Sequence, residues 1–468
     1  MKIACVVLPF YRLIESKNNR ITVAMHYIAE VLYRRNHDIL YINGDYGDEL
    51  VPYGDRISMI SNNWLFEERY KKGHSAYEDT LQIIAEYEPD VVVLGAGDVL
   101  MPTVELGSSQ SCLYLADKIK QEINQNILCV GYGHLLRYEE EAHLSNLDAV
   151  ITGEGEADII DVVERGRRGM IPPSWMKDMD SLPILTNSYF YNPHRPEDWD
   201  YMMSMRGCPN RCLFCQQPQL RKGQLAYMSP KRFVEEIRYR IQNIGIYDFY
   251  FCDAIFLPGD TFRTEQMIRE LYKVKKEHPQ FTWRAEARVD TIIRHGNLLC
   301  KMKQSGCRQL KIGVEMMDNH MLAYMQKDIN LNDVKKAFRI LREMNLEATC
   351  YILLGCPGCT NEDYEQMLPE FVKLNATNYV VNITVPYEGT GLYECVKSKL
   401  DEYGLYQSGE EGFLHTSTTM KRFWGISDET LWKYLGLPGV KDDQAYRDYQ
   451  RKVVDNDWFH DMNKIRYL

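Results

Sequence analysis

No uncharged apolar run in the 468 residues is long enough to cross a bilayer. The longest, Ile3 to Tyr11, is about half the roughly 20 residues a span needs, and it contains Pro9. Nor does it read as a secretory leader, because Arg12, Glu15 and Lys17 follow where a small-residue cleavage site would stand. Basic charge is scarce too: 55 Lys and Arg against 66 Asp and Glu leave a net charge of −11, with no basic tail, which argues against a nucleic-acid partner. Low-complexity segments and internal repeats are missing. With 45% hydrophobic and 26% charged residues, the composition excludes wholesale disorder, collagen-like repeats and a membrane bundle. The expectation is a cytoplasmic, globular chain of roughly two or three domains. Its 13 cysteines then belong to a reducing compartment, as metal ligands, redox groups or small hydrophobes rather than a disulfide framework.

Short β-branched runs alternate with helix-like stretches from the start. Ile3–Leu8, Asp38–Ile42, Val91–Leu94, Ile127–Val130 and Ala149–Ile151 read as strands. Ile21–Arg35, Ala76–Tyr87, Gln110–Asn124, Arg137–Ser145 and Ala157–Arg165 read as helices. Five strands interleaved with five helices predict a doubly wound parallel α/β sheet over residues 1–165, with its ligand crevice beyond the carboxyl ends of the strands. Residues 166–200, proline-rich and without visible alternation, read as a linker. Alternation resumes over 201–395, with strands at Tyr201–Met205, Asp248–Cys252, Thr282–Ala285, Gln309–Gly313, Ala348–Leu354 and Tyr379–Thr384. Six such units predict a partial or complete parallel barrel with its chemistry at the carboxyl ends of the strands. Residues 396–468 show no strong period and read as a small, mainly helical cap. Its aromatics, such as Tyr406, His415 and Trp424, are candidates to shape a substrate pocket.

The decisive stretch follows the first barrel strand: Met205-Arg-Gly-Cys208-Pro-Asn-Arg-Cys212-Leu-Phe-Cys215. Three thiolates at this spacing can wrap one face of an iron–sulfur cube and leave the fourth iron open for chemistry. A tetrahedral zinc site wants a fourth nearby Cys or His, and none lies within the fifteen residues that follow.

This C-x3-C-x2-C pattern, with an aromatic before its last cysteine, resembles the radical S-adenosylmethionine (SAM) enzymes. The resemblance implies that Cys208, Cys212 and Cys215 hold a [4Fe-4S] cluster whose open iron chelates SAM and that Phe214 lies against the adenine. Further segments are similar in order. Phe251-Cys-Asp253-Ala-Ile-Phe256 follows the second strand, with Ala254 in place of an expected acid. Trp283-Arg-Ala-Glu-Ala-Arg288-Val-Asp290 is the third-strand segment, and Ile312-Gly-Val-Glu315 is the fourth. By resemblance Asp253, Arg288 and Glu315 bind SAM, as does the backbone at Gly355 in Gly355-Cys-Pro-Gly-Cys359. In that last segment a cysteine replaces the usual glutamate and creates Cys356-x2-Cys359, open to an auxiliary metal or thiol chemistry.

The first domain lacks a G-x-G-x-x-G after its first strand, which disfavours a nicotinamide role. Its glycines come later, in Gly131-Tyr-Gly133-His134 and in Thr152-Gly153-Glu154-Gly155-Glu156. These loops resemble segments of the cobalamin-binding domains of class B radical SAM methylases. Gly131, Gly133, His134, Thr152, Gly153, Glu154 and Gly155 are accordingly the expected cobalamin contacts. The D-x-H-x-x-G of other cobalamin proteins is missing: only Asp318 precedes a histidine, His320, by two positions, and Ala323 stands where the glycine would be; the resemblance implies no cobalt-ligating histidine. The implied function is a cobalamin-dependent radical SAM methyltransferase, in which one SAM remethylates the corrin and a second yields a 5′-deoxyadenosyl radical. An external donor such as flavodoxin or ferredoxin is expected to supply electrons, and the substrate to be a small molecule or peptide. Non-methylating cobalamin radical chemistry and a non-catalytic corrin sensor or carrier remain as alternatives.

Overall fold

The computed structural model describes residues 1–10, 12–14, 22–46, 73–97, 100, 108–138, 144–186, 189–191, 201–256, 260–402 and 417–438. The expected cap residues Tyr406 and His415 lie outside these.

The first sheet has six parallel strands: β1 (Lys2–Val7), β2 (Asp38–Asn43), β3 (Val91–Gly95), β4 (Leu128–Tyr132), β5 (Ala149–Ile151) and β6 (Gly169–Ile171), in the order β2-β1-β3-β4-β5-β6. β1 is buried from Ile3 onward, as helices on both faces require of a continuous Ile-Ala-Cys-Val-Val run. The order reverses between β1 and β3, the switch point at which such sheets bind ligands. Two local expectations change. A sixth strand lies in the stretch read as linker, and the stretch read as a helix at 137–145 begins instead as a 3-10 turn, His134–Tyr138.

A second sheet follows, made of β7 (Tyr201–Met202), β10 (Asp248–Phe251), β11 (Thr282–Ala287), β12 (Cys307–Glu315), β13 (Glu347–Leu354) and β14 (Asn378–Ile383). All are parallel and neighbour one another in chain order. Between β7 and β10, a two-stranded antiparallel ribbon pairs β8 (Met205–Arg206) with β9 (Ala226–Tyr227). This is a partial (β/α) barrel. The helix Pro230–Ile244 begins as its sequence signals demand: Ser229 Oγ accepts from Arg232 N, proline occupies the first turn, and Gly245 at φ +81 ends it.

The barrel wall has two unlike faces. Phe251 stacks on Trp283 at 5.1 Å and meets Phe233 of the helix Pro230–Ile244 at 4.9 Å, so this face packs outward against the helices. On the opposite face the hydroxyls of Tyr250 and Tyr351 both donate to Glu286 Oε1, the latter at 2.9 Å, and Lys311 Nζ lies 3.6 Å above the Tyr250 ring. Glu286, Lys311 and Tyr351 are only half-buried, so the lumen side is polar and accessible. Three helices, Gly391–Glu402, Ser417–Trp424 and Asp428–Leu435, follow the barrel. No helix among the described residues is long and apolar enough to cross a membrane.

Trp283 is fully buried and touches two phenylalanine rings. Trp283→Ala should therefore cost about 3–5 kcal/mol, read from denaturant unfolding with an unchanged slope; a loss under about 1 kcal/mol would contradict this packing.

Candidate active site

The three-cysteine loop runs between β8 and β9, so the ribbon pins both of its ends. Gly207 sits at φ +87, and a Cβ there would come within 2.3 Å of the Gln224 carbonyl oxygen; only glycine lets the loop start here. Within the loop, Cys215 N donates to Cys212 O at 3.1 Å, and Leu213 bridges Met325 and Leu392 through backbone hydrogen bonds of 2.9 Å each. Burial, then the neighbouring Cys212 and Cys208, push the Cys215 thiol up to about 12. Burial there therefore disfavours a free Cys215 thiolate. Yet among the described residues no three Cys, His, Asp or Glu side chains gather closely enough for a single metal ion. Three thiols on one short loop are the donor set that a [4Fe-4S] cluster, with its own four irons and bridging sulfides, would take.

Asp253 is fully buried behind the start of the loop, with Oδ1 accepting from Ser204 N at 2.6 Å and Met205 N at 2.8 Å and Oδ2 from Ser204 Oγ at 2.6 Å. Its carboxylate is thus committed to backbone and to a serine, a positioning role in place of the expected contact with SAM. Burial raises it to about 6 against the hydrogen bonds from Ser204 and Met205 and the nearby Arg263 charge.

Four expected residues do converge. Arg288 Nη1 donates to Cys212 Sγ at 3.4 Å, Nε to Asp290 Oδ1 at 2.9 Å and Nη2 to the Lys327 carbonyl. Lys327 Nζ lies 2.7 Å from Glu315 Oε1 and 5.7 Å above the Phe214 ring. Glu315 adopts φ +71 at the bulge of β12, and a Cβ on Gly313 would strike both Glu315 Oε1 and Lys327 Nζ; strain of this kind is held in place only where the surroundings over-determine it. Lys327 was not visible in the sequence. It sits between Gln326 and Asp328, both at φ +54, in a loop without glycine. Gly355 departs from expectation: at φ +103 its open side is filled by the Trp424 indole, 2.4 Å from where a Cβ would stand, and Trp424 Nε1 donates to Thr384 O. The close approach that Gly355 permits is therefore taken by the cap.

In the first domain a small pocket opens at the switch point, lined by Val7, Leu8, Met25, Asp45, Gly97 and Tyr132 among others. The expected cobalamin glycines do not face it freely. A Cβ at Gly131 would meet Leu136 and Leu147, at Gly133 the Ala96 carbonyl, at Gly153 the Pro173–Ser174 backbone, and at Gly155 the Tyr132 ring. They serve close protein packing. His134 is fully buried and Thr152 nearly so.

Glu154 and Glu156 instead reach across to the barrel. Arg206, two residues before Cys208, places Nη1 3.1 Å from Glu154 Oε2 and donates from Nη2 to Glu156 Oε1 at 2.5 Å. Arg221, at the end of the same loop, donates to Glu154 Oε1 and to Met176 O. Tyr27 covers the Arg206 guanidinium at 5.3 Å. Burial opposes the Arg206 charge, but Glu156 and Glu154 overcome it and raise its pKa. Gln217 adds a hydrogen bond to the Leu100 carbonyl of the first domain. The cluster loop is thus clasped at both ends by the neighbour that carries the cavity.

Residues 202–369 match the family model described as the radical SAM superfamily. An uncharacterised methyltransferase of Pyrococcus horikoshii is 25% identical over 343 residues, covering 68% of this chain and 72% of its own. The hopanoid C-3 methylase of Methylococcus capsulatus is 23% identical over 409 residues, covering 78% and 73%. Among solved structures, the radical SAM methyltransferase TsrM of Kitasatospora setae, with cobalamin and a [4Fe-4S] cluster bound, superposes with a TM-score of 0.60 at 13% identity, over 85% of this chain and 78% of that one. The arrangement of a doubly wound α/β domain followed by a partial barrel is therefore shared.

Arg206→Met leaves Glu156 buried without its partner and Glu154 with Arg221 alone, and should cost about 3–5 kcal/mol, together with most of the iron retained after reconstitution. Adding Glu156→Gln should recover part of the stability, since it removes the stranded charge while Glu154 keeps Arg221; unfolding curves and iron assays on both variants check this. Asp253, raised from its ordinary 3.8 to about 6, favours the folded state most below pH 3.8, and that contribution is lost as the pH rises through about 6. Asp253→Asn should flatten this limb of a stability-against-pH curve, and an unchanged limb would refute the assignment.

Proposed function

We propose that this chain, whose residues 202–369 match the radical SAM superfamily, is a cobalamin-dependent radical SAM methyltransferase. On this reading it methylates an unactivated carbon of a small-molecule or peptide natural-product precursor in the cytoplasm. The observation that carries the reading is the clasp, which sets a three-cysteine loop against the domain whose switch-point cavity would receive the corrin. The cluster would be held by Cys208, Cys212 and Cys215, and SAM by the wall of Phe214, Arg288, Glu315 and Lys327. When bound, these groups supply one-electron radical chemistry, and cobalamin supplies methyl carriage.

The residues have separable tasks. Arg288 places a guanidinium beside Cys212 and has the fork geometry for a carboxylate. Lys327, kept charged by Glu315 despite its burial, adds a second cation beside the cluster loop. Both favour an anionic, thiolate-ligated group and an amino-acid carboxylate there. Arg206, Arg221, Glu154 and Glu156 fix the distance between cavity and loop, the quantity on which transfer between two bound groups depends. The half-buried lumen side chains Glu286, Lys311 and Tyr351 offer a polar surface to a substrate entering the barrel. The reading calls for a low-potential donor such as flavodoxin or ferredoxin.

Anaerobic reconstitution with iron, sulfide and hydroxocobalamin tests it. The expected outcome is a corrin absorption band that co-elutes with the protein, and release of both 5′-deoxyadenosine and S-adenosylhomocysteine under reduction. Replacing Cys208, Cys212 and Cys215 with Ala should abolish the former product while leaving the corrin band. 5′-Deoxyadenosine without S-adenosylhomocysteine would overturn methylation in favour of another cobalamin radical reaction, and absence of the corrin band would overturn the role of the first domain.

A further inference from the structure

The segment Cys356-Pro357-Gly358-Cys359 joins β13 to the helix Asn361–Leu374 and takes no part in the wall described above. Cys359 N donates to Cys356 O at 3.1 Å, Gly358 stands at φ +82 and proline precedes it, which together make a type II turn. A turn of this kind brings its first and fourth Cα atoms within about 7 Å, inside the reach of a disulfide at about 4.4–6.8 Å.

Their environments differ as those of an attacking and a resolving thiol do. Cys359 is half-buried and stands just before Thr360, the N-cap of the helix. Interaction with Cys356 and with the Tyr364 hydroxyl lowers the Cys359 thiol, whereas interaction with Cys359 and burial raise Cys356. Tyr364 also accepts from Gly355 N at 2.8 Å and from Cys356 N at 3.2 Å, so one hydroxyl orders the whole turn. Cys356 is 2% exposed, with its sulfur 3.6 Å from Met321 Sδ. A thiolate-prone, reachable cysteine beside a shielded partner is the arrangement of a redox pair.

We infer that Cys356 and Cys359 form a reversible dithiol–disulfide modification site, oxidised by exchange with a low-molecular-weight disulfide. The Cys359 thiolate attacks one sulfur of the disulfide and expels the first thiolate. Cys356 then loses its proton and displaces the second. One S–S bond breaks and one forms, the protein pair loses two electrons, and the two protons leave on two molecules of small thiol. The covalent step is independent of the cluster cysteines.

The test uses the full chain, reduced under anaerobic conditions and equilibrated with glutathione and glutathione disulfide at a series of ratios, then acid-quenched, alkylated under denaturing conditions and digested with trypsin. The peptide Glu343–Lys373 holds Cys350, Cys356 and Cys359. At oxidising ratios it should carry a single alkyl group, on Cys350, and fragment as a Cys356–Cys359 bridge that excess reduced glutathione reverses. Cys359→Ser should leave Cys356 unmodified, while Cys356→Ser should trap Cys359 as a mixed disulfide with glutathione. Full alkylation of both thiols at the most oxidising ratio, a bridge to Cys350 instead, or a stoichiometric metal that protects the pair would each overturn the inference.

Discussion

Two arginines that belong to the cluster loop are buried in carboxylates that belong to the other domain. Arg206 and Arg221 bracket the loop, and Glu154 serves both of them while Glu156 serves the first. Buried ion pairs of this kind add little to stability over a hydrophobic isostere, because desolvation offsets the attraction. What they add is register. A guanidinium fork meeting two carboxylates admits few geometries, and no apolar contact would fix the loop to the neighbouring sheet with the same directional constraint. The glycines at 153 and 155 follow from this requirement. Gly153 lets the chain press against Pro173 and Ser174, and Gly155 at φ +85 presses against Tyr132, so that the two glutamates between and beside them point at the barrel.

The same economy governs the other side of the loop. Asp253 spends its whole carboxylate on Ser204 and Met205, just before Arg206, so β7, the ribbon and the clasp form one continuous framework. The strain is placed on the far wall, where Glu315, Gln326 and Asp328 all adopt left-handed backbone conformations around Lys327. Rigid framework on one side and strained charge on the other is the arrangement expected where a charged ligand must be oriented.

Much of this was legible in the chain. The alternation of β-branched runs with amphipathic stretches specifies both parallel sheets, because buried parallel strands and covering helices have different periods. The cysteine spacing specifies the loop. The pieces that escaped are those whose partners lie far away in sequence. β6 is three residues that begin with Gly169 and end before two prolines, and it becomes a strand only because β5 offers an edge. Lys327 has no local signal, since its loop is shaped by two non-glycine residues in a conformation that sequence reading assigns to glycine. Glu154 and Asp253 were singled out by motif, but their partners are set by folding: Glu154 meets Arg206 and Arg221, and Asp253 meets backbone. Gly355 was read for a ligand's approach and meets Trp424 instead, some seventy residues away.

The barrel wall carries the argument one step further. Along β11 burial alternates residue by residue, with Trp283, Ala285 and Ala287 packed away and Arg284 and Glu286 left partly open. A closed eight-stranded barrel would fill its interior with Val, Ile and Leu. Here the neighbouring strands present Tyr250, Lys311 and Tyr351 around Glu286, tied to one another by hydrogen bonds and a cation over a ring. Burial raises the Glu286 carboxyl, while Lys311 and the two tyrosines pull it back. A polar array inside a sheet is costly unless it is satisfied, and this one satisfies itself while keeping an accessible face. The interior is therefore built to stay open, with its polar groups ordered by one another before any ligand arrives. A ligand entering it meets ordered polar groups on one wall and, through Phe214, Arg288 and Lys327, the cluster loop on another.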